Sequence, residues 1–437
     1  MKIYNSLTNQ KDNFQTLKPN ALTMYVCGPT VYNYIHIGNA RPVVFFDVVR
    51  RYFNYLGYHV NYVSNITDVD DRIILEASRL GITEKELTEA FIQAFKDDTK
   101  ALNSLFPNDM PKATNYIKQM IEYIQELIDE GYAYQGSDAV YFRVSKVKDY
   151  GKLSNQTIEN LNVGARIEEN LDKESPVDFV LWKNTTVGLN FDSPWGNGRP
   201  GWHTECAAMN HSIFDGLIDI HGGGSDLLFP HHENEMAQSE ARCGHSLANT
   251  WMHVGRLDMD NEKMSKSLGN IVLVRDLLKK YPYQSFRLMM LSHHYRQPIN
   301  YSDDLMNQFH TDWERISRAL KTTFIEMNVH YYEQIEYNDE AIERFKEAMD
   351  DDFNCANALT VVYDQIKAMN RTKVLEEKAM FYYTIILMLN ILGIDVEFKR
   401  LSQEQIQTYL DWQIARSEKR YQDADQIRIR LVEAGIL

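Results

Sequence analysis

The sequence predicts an α/β domain with a parallel sheet, followed by a domain built from helices. Near the N-terminus, a strand-like segment, a loop, an amphipathic helix and a second strand-like segment follow one another, which is the order of a βαβ unit. Beyond about Tyr301 the apolar residues keep helical spacing and glycine is rare. The length of 437 residues also exceeds what one hydrophobic core supports, so we expect roughly two to four domains.

The first βαβ unit can be placed on the sequence. The segment LTMYVCGPT alternates and ends in Gly-Pro, as a strand does when it enters a turn. A helix is predicted for RPVVFFDVVRRYFNYLG, which stops at Gly57, and a second strand for YHVNYVSNITD. Helical spacing returns from about Lys85 to Gly131, most clearly in IKQMIEYIQELIDEG.

The character of the sequence changes over residues 132–199. AVYFRV has the composition of a short strand, and Gly, Asn and Asp become frequent through VGARIEENLDKESP. We interpret this segment as an insertion in the α/β domain. That domain resumes with the strand-like LIDIHGGG and a helix that is rich in histidine.

Composition excludes several classes of protein. The N-terminus has no apolar signal region, and the longest apolar stretch, FYYTIILMLNILGI, is shorter than the roughly 20 residues that span a bilayer. We therefore expect a buried helix there and a cytoplasmic protein that does not enter membranes. The net charge of −15 argues against non-specific nucleic-acid binding by the whole surface, although a local basic face remains compatible with it.

Four cysteines are widely scattered: Cys27, Cys206, Cys243 and Cys355. Disulfides are not expected in a chain without a secretion signal, which leaves metal-binding thiolates or inert buried thiols.

The stretch FPHHENEMAQ places two imidazoles and two carboxylates directly behind a proline. Pro230 suits the start of a helix, and on a helix from His231 to Ala241 the side chains of His231 and Glu235 share one face. The zinc-protease pattern H-E-x-x-H is absent because Met236 stands where the second histidine belongs. The stretch alone leaves open half of a metal site or a helix start with solvated histidines.

Two further segments are candidates for phosphate binding. HIGNAR, from His36 to Arg41, lies between the first strand and the first helix, where α/β sheets bind ligands. NEKMSKSLGN, from Asn261 to Asn270, carries two lysines that could neutralise a polyphosphate. Taken singly, each could equally be a polar loop. The only G-x-G-x-x-G, GNGRPG, contains Pro200 and is not expected to bind a dinucleotide.

Five segments in order resemble the cysteinyl-tRNA synthetases, a family of class I aminoacyl-tRNA synthetases. They are MYVCGPTVYNYIHIGNARP, TDVDDRI, DSPWGNGRPGWHTECAAM, IDIHGGGSDLLFPHHENEMAQSEA and NEKMSKSLGN, with weaker similarity in DDFNCANAL and DADQIRIRL. The resemblance covers about the first 310 residues. It implies a Rossmann-like catalytic domain (1–131 and 200–260), a connective insertion (132–199), a KMSKS loop with a stem-contact region (261–310), and a helical-bundle domain that binds the tRNA anticodon (311–437).

The resemblance also implies an activity. Such an enzyme joins L-cysteine to ATP, which is bound with Mg²⁺, and then transfers the cysteinyl group to the 3′-terminal adenosine of tRNA(Cys); we expect it to act as a monomer. One zinc ion is implied, with Cys27, Cys206, His231 and Glu235 as ligands, a set whose thiolates and imidazole suit that metal. His232 is not expected to be a ligand.

Residue roles follow by the same resemblance. The catalytic residues would be His36, Asn39, Lys263 and Lys266. The ATP-binding residues would be His36, Gly38, Asn39, His221, Gly222, Gly223, Asp226 and Lys266. The amino-acid pocket would include Cys27, Thr67 and Trp202, although Trp202 could instead be a core residue. The acidic TDVDDRI is expected to cap a helix, with Arg72 paired to it.

The chain departs from the family pattern at two places. The paired signature of class I synthetases is matched by HIGN (36–39), the first signature, and KMSKS (263–267), the second signature. Asn39 stands where the fourth residue of the first signature is usually histidine, a change that keeps a hydrogen-bond donor. The sequence also stops at RLVEAGIL, where the family usually continues with a short tail that reads the anticodon. A local basic face could serve instead, or could be an ordinary solvated helix; its residues are Arg416, Lys419, Arg420, Arg428 and Arg430. A ligase that joins cysteine to a small amine and a silent RNA-binding paralogue remain alternatives.

Overall fold

The computed structural model describes residues 1–157, 172–259, 262–264 and 270–437, with the backbone alone for Lys263. Lys266 and most of VGARIEENLDKESP therefore lie outside the described residues. Within the described ranges, no helix combines the length and the apolar character that a bilayer crossing requires.

A parallel four-stranded sheet forms the centre of the N-terminal region. It follows an antiparallel pair, β1 (Lys2–Asn5) and β2 (Gln10–Asn13). Its strands are β3 (Ala21–Val26), β4 (His59–Ser64), β9 (Ile218–Gly224) and β10 (Ala248–Val254), in the order β10-β9-β3-β4. From β3 the chain passes through one helix to β4, its neighbour on one side. It reaches β9, the neighbour on the other side, only after the insertion. The carboxyl ends of β3 and β9 therefore meet at a topological switch point, where such sheets bind ligands.

Helix α1 (Ile37–Tyr55) crosses from β3 to β4 and confirms the predicted βαβ unit. Its start is capped twice: the His36 ring nitrogen Nδ1 accepts a hydrogen bond from the Gly38 amide at 3.1 Å, and the Asn39 side chain accepts one from the His36 amide at 3.3 Å. Capping by both side chains fixes the first turn of the helix at the carboxyl edge of the sheet.

Helices and a second sheet follow β4. The helices are α2 (Asp71–Leu80), α3 (Glu84–Ala101) and α4 (Ile117–Asp129). Asp70 caps α2 and pairs with Arg72 at 2.8 Å, as predicted for TDVDDRI. The segment predicted as an insertion holds an antiparallel sheet of β5 (Ala133–Gln135), β6 (Ala139–Phe142), β7 (Phe179–Asn184) and β8 (Gly198–Pro200).

The remaining elements carry the site and the helical region. Helices α5 (Trp202–Phe214) and α6 (Glu233–Cys243) flank β9, and α6 is preceded by a π-helical turn, Leu228–His232. A small sheet joins β11 (Leu257–Met259), β12 (Glu262–Lys263) and β13 (Ile299–Tyr301), with α7 (Val274–Lys280) and α8 (Tyr283–Leu291) between the last two strands. Residues beyond Tyr301 are helical, as predicted: α9 (Asp303–Val329), α10 (Asp339–Asp350), α11 (Cys355–Arg371), α12 (Leu375–Ile391), α13 (Gln403–Ser417) and α14 (Tyr421–Glu433).

The hydrophobic core is shared between the sheet and the helical region. One cluster of buried side chains runs from Met24 on β3 through Phe45 on α1 to Phe353 and Leu389 among the C-terminal helices. A second cluster covers the other face of the sheet and includes α4, α5 and the insertion. Helices α13 and α14 share a separate small cluster with the end of α9.

A buried set of polar contacts, the Asp47–Arg287 knot, joins α1 to the end of α12. The fully buried Arg287 guanidinium donates to the Asp47 carboxylate at 2.6 Å and to the Leu392 carbonyl at 2.9 and 3.1 Å. The same carboxylate accepts two hydrogen bonds from Arg51 and one from the Leu105 amide. The knot thus joins three segments that are far apart in sequence.

Candidate metal centre and nucleotide site

Four side chains predicted as metal ligands converge at the carboxyl ends of β3 and β9. Cys27 directly follows β3, Cys206 lies in the second turn of α5, His231 in the turn before α6, and Glu235 in the first turn of α6. The Cys27 sulfur lies 3.5 Å from the Cys206 sulfur, 3.5 Å from His231 Nε2 and 3.4 Å from Glu235 Oε1. His231 Nε2 and Glu235 Oε1 are 2.8 Å apart, as expected for residues one helical turn apart.

This spacing fits a tetrahedral metal site. Ligand atoms about 2.0–2.3 Å from one tetrahedral ion stand about 3.3–3.8 Å apart, and the three distances from the Cys27 sulfur fall in that range. The 2.8 Å between His231 Nε2 and Glu235 Oε1 is shorter, because these two atoms form an ion pair with each other. Cys206, His231 and Glu235 are all buried, so that no water competes for their donor atoms. Two sulfurs, one imidazole nitrogen and one carboxylate oxygen are the donor types that zinc takes in proteins.

The four groups shift one another's pKa values. The hydrogen bond from Cys27 lowers the pKa of Cys206 to about 6, whereas burial and the neighbouring Cys206 raise the pKa of Cys27. Burial disfavours the charged imidazole, but the Glu235 carboxylate and the Cys206 sulfur together outweigh this effect and raise the pKa of His231 to about 10. The site therefore gathers a thiolate and a carboxylate around the positive charge of the His231 imidazolium, and a divalent cation bound there would take the place of the His231 proton.

Two aromatic side chains hold the His231 ring from outside. The Trp202 ring stacks on it, with 4.3 Å between centroids and 25° between planes. His203 Nδ1 lies 3.0 Å from His231 Nδ1, and burial lowers the pKa of His203 to about 3, so this partner is neutral. Trp202, predicted for the amino-acid pocket, thus stacks on one of the predicted metal ligands. His203 was not predicted, although its place directly after Trp202 was a signal.

His221 was predicted to lie against adenosine. Its Nε2 atom is 2.9 Å from Glu235 Oε2 and 3.8 Å from the Cys27 sulfur. Together with His232 it forms a second set of possible ligands that shares Cys27 and Glu235 with the first. His232 Nδ1 is 2.8 Å from His253 Nε2, so that its ring is oriented by a second histidine. Sequence reasoning did not foresee this arrangement.

Thr67, predicted in the amino-acid pocket, contacts an acidic residue that the sequence prediction missed. Its hydroxyl donates to Glu205 Oε2 at 2.9 Å, and Glu205 is buried. Burial, with Cys206 close by, raises the pKa of Glu205 well above its usual range. The signal was its position immediately before Cys206 in the segment WHTEC.

The nucleotide candidates lie around the same edge of the sheet. His36, Gly38 and Asn39 form the capped start of α1, and Asp226 lies in the turn that follows β9. Gly222, one of the predicted ATP-binding residues, packs closely against other parts of the protein. A Cβ atom there would lie 2.2 Å from the Phe46 ring of α1 and 3.1 Å from the Met252 carbonyl. A Cβ atom at Gly223 would lie 2.9 Å from the Leu227 side chain.

The second signature is only partly described. The Lys263 backbone pairs with Asp258 in the β11–β12 ladder, and Lys266 lies outside the described residues. The chain that follows it is joined to the start of α1, because the Ile37 amide donates to the Val272 carbonyl at 2.9 Å. The described chain that follows the second signature therefore lies beside the first signature.

The two cysteines outside the centre should differ in reactivity. Burial raises the pKa of Cys355 to about 12, whereas Cys243 is only half-buried. Because the thiolate is the reacting form, we expect iodoacetamide at pH 8 to label Cys243 at least tenfold faster than Cys355 in the folded protein. Peptide mass spectrometry measures this, with urea-unfolded protein as the control that labels both. Equal native rates would contradict the burial of Cys355.

The sequence matches two family models. Residues 13–311 match the catalytic domain of class I tRNA synthetases (C), and residues 344–397 match the DALR domain. Among solved structures, a Mycobacterium tuberculosis methionyl-tRNA synthetase bound by methionyl-adenylate has a TM-score of 0.63 at 15% identity, covering 90% of this chain and 94% of that one. This likeness confirms the predicted fold class.

Curated relatives align over the whole chain. A cysteine–tRNA ligase of Acholeplasma laidlawii is 49% identical over 437 residues, and that of Onion yellows phytoplasma 45%; each alignment covers 100% of both chains. A cysteine–tRNA ligase of Staphylococcus carnosus is 46% identical, covering 100% of this chain and 97% of the relative. With full-length similarity and a matching catalytic-domain model, the chain belongs to the cysteine–tRNA ligase family of class I aminoacyl-tRNA synthetases.

Proposed function

We propose that this protein activates L-cysteine with ATP and transfers the cysteinyl group to the 3′-terminal adenosine of tRNA(Cys). The observation that carries the proposal is the quartet of Cys27, Cys206, His231 and Glu235, which lies at the switch point of the sheet beside the capped start of α1. A donor set of this kind next to a helix N-terminus supports the proposal of a sulfur-selective site beside a phosphate-binding one.

The quartet would hold one zinc ion. When bound, zinc would take the sulfur of cysteine and reject the hydroxyl of serine, a distinction that an apolar pocket makes by only about 1–3 kcal/mol. The protein's own part is to orient the ligands: His203 and Trp202 hold the His231 ring, and burial excludes competing water. Thr67 hydrogen-bonds to Glu205, and Glu205 lies close to Cys206. We propose the amino-acid pocket at these residues.

Adenylate formation needs the cysteine carboxylate and the α-phosphorus of ATP, bound with Mg²⁺, to be held in line. We propose that His36, Gly38 and Asn39 bind the phosphates, with amides at the start of α1 favouring the negative charge. Lys263 and Lys266 would stabilise the departing pyrophosphate. The turn from His221 to Asp226 would contact adenosine. The chain's residues act by positioning and by charge, without a covalent nucleophile.

Transfer to tRNA requires a nucleic-acid surface outside the site. Helices α13 and α14 expose the predicted basic residues, and the Arg416 guanidinium lies 4.8 Å from the Trp412 ring centroid. Tyr421 is 65% exposed at the start of α14, where a base could stack on it. Arg420 is paired with Glu418 and Asp423, so we expect it to contribute least. We propose this hairpin as a tRNA contact.

The proposal is tested by measuring cysteine-dependent ATP–pyrophosphate exchange and then charging of tRNA(Cys) in the same sample. Exchange together with charging supports the full reaction. Exchange without charging favours a ligase that uses a small amine. Absence of both, in protein that contains zinc, contradicts the proposal and favours a silent RNA-binding paralogue.

Replacement of Lys266 by alanine should slow pyrophosphate exchange by roughly 100- to 1,000-fold, the usual cost of removing one group that stabilises developing charge. Zinc content and the KM for cysteine should stay unchanged, because Lys266 is not one of the proposed zinc ligands or amino-acid-binding residues. Lys279→Ala is the matched control, since that lysine is 74% exposed on α7 and pairs only with Asp276 among the residues described. An unchanged exchange rate in Lys266→Ala would remove the second signature from the mechanism.

A further inference from the structure

Arg41 ends the HIGNAR segment, yet it points away from solvent and into the protein. It lies in the second turn of α1 and is only 2% exposed. Its guanidinium donates to the Gly255 carbonyl at 2.6 Å, to the Arg256 carbonyl at 2.8 Å and to the His294 carbonyl at 3.3 Å. These three partners are backbone carbonyls. The contacts therefore depend on the path of the main chain and not on the side chains of those residues.

Two of the three carbonyls, those of Gly255 and Arg256, belong to the connection between the two signatures, and that of His294 lies beyond the second signature. Gly255 and Arg256 link β10 to β11, and β11 leads along the chain to the second signature. This connection is rigid: the Gly255 amide donates to the Tyr295 carbonyl at 2.7 Å, and the Arg256 carbonyl accepts from the Ile299 amide at 3.0 Å. Arg41 therefore joins the start of α1 to a fixed segment that precedes Lys263.

The chain on the far side of the second signature is joined to the same part of α1 by backbone contacts. The Ile37 amide donates to the Val272 carbonyl at 2.9 Å, and the Val274 amide donates to the Ile35 carbonyl at 3.2 Å. Both flanks of the second signature are thus fixed relative to the first. On the preceding flank, the hydrogen bonds to α1 come from the Arg41 side chain, beside the apolar packing of Ile37 and Leu257.

The chemistry of these contacts calls for arginine. A planar guanidinium donates to several acceptors in a fixed fork, whereas a lysine ammonium is a point charge that cannot reproduce that geometry. Burial lowers the pKa of Arg41 to about 10, with Asp258 opposing the shift, so the group stays charged at neutral pH. A buried cation held by carbonyls also adds positive charge near the start of α1, where phosphates are proposed to bind.

We infer that Arg41 is a positioning residue for adenylate formation, setting the distance between the His36–Asn39 turn and the strand that leads to Lys263 and Lys266. The inference rests on the proposed function. It assigns Arg41 no contact with substrate. We expect loss of Arg41 to lower the rate of adenylate formation more than it weakens cysteine binding. A displaced His36–Asn39 turn affects the step in which charge develops on the phosphates.

The experiment compares Arg41→Lys and Arg41→Gln with the wild type in cysteine-dependent pyrophosphate exchange, with rates divided by the number of active sites titrated as enzyme-bound adenylate. We expect kcat to fall at least tenfold in both variants. The KM for cysteine and the zinc content should stay within twofold of wild type, since the quartet lies on other elements. A residue that only supported the fold would lower the number of active sites and leave kcat per site unchanged.

Arg287→Lys is the matched control, because it also removes a buried guanidinium from backbone carbonyls near α1, but at the Asp47–Arg287 knot. We expect it to lose stability and keep kcat per active site. The inference is overturned if kcat is unchanged in the Arg41 variants, if Arg287→Lys lowers kcat equally, or if both Arg41 variants fail to fold while Arg287→Lys folds. A wild type without exchange contradicts the proposed function instead.

Discussion

Replacing Cys206 with alanine should remove zinc from the protein and lower cysteine-dependent pyrophosphate exchange by more than about 100-fold. Loss of the hydrogen-bonding partners around metal ligands already costs about 10- to 100-fold in affinity or activity, and loss of a ligand itself should cost more. Cys206 is also the sulfur with the lowered pKa, so the variant loses the thiolate that the site favours most. Zinc is measured by inductively coupled plasma mass spectrometry on protein purified without chelator.

Cys243→Ala is the matched control for this variant. Cys243 ends α6, the helix that begins beside His231, but its sulfur contacts Arg242 and His211 instead of the quartet. The control should keep zinc and activity within twofold of wild type. If Cys206→Ala retains stoichiometric zinc and still prefers cysteine to serine, the proposed ligand set is wrong, and the alternative set with His221 and His232 becomes the candidate.

Replacing Asp47 with alanine should destabilise the protein by about 3–5 kcal/mol, because it leaves the fully buried Arg287 guanidinium without its carboxylate partner. The same change removes the acceptor of Arg51 and of the Leu105 amide. Urea unfolding followed by circular dichroism should show a midpoint well below that of the wild type. The matched control is Asp395→Ala.

Asp395 is 38% exposed and meets Arg51 at 3.9 Å, on the solvent side of the same knot. Exposed ion pairs contribute about 0–1 kcal/mol, so this control should barely move the midpoint. Equal midpoints for Asp47→Ala and the wild type would show that the knot does not stabilise the junction of α1 with α12. A loss confined to tRNA charging, with unchanged unfolding, would likewise contradict the structural role.

Local patterns predicted the parts of the fold that depend on neighbours in sequence. The βαβ unit followed from alternating and helical spacing, and the meeting of His231 with Glu235 followed from their separation of four residues. The same reasoning could not bring Cys27 to Cys206, which are 179 residues apart and meet only because β3 and α5 converge on one edge. That pairing came from family resemblance, and so did the roles of the signatures.

Other features need the three-dimensional structure because their cause lies in packing. Gly222 was predicted to bind ATP, and its sequence gave no sign that the nearest atoms to a side chain there would belong to Phe46. Arg287 is the one charged residue in the apolar segment FRLMML, which indicates a buried partner. No local sequence pattern identifies that partner as Asp47, 240 residues earlier. Hydrophobic patterns locate elements, whereas buried polar partners depend on how those elements assemble.

The core shared by the sheet and helices α9–α12 limits which substitutions and exchanges of segments this protein can tolerate. A helical region that buried its own core could be exchanged between proteins as a module, whereas this one contributes Phe353 and Leu389 to the same apolar cluster as Met24 and Phe45. Separation near residue 302 would expose apolar surface on both pieces. A substitution that changes side-chain volume on one side must therefore be accommodated on the other, whereas the α13–α14 hairpin packs in a separate small cluster and lies outside this constraint.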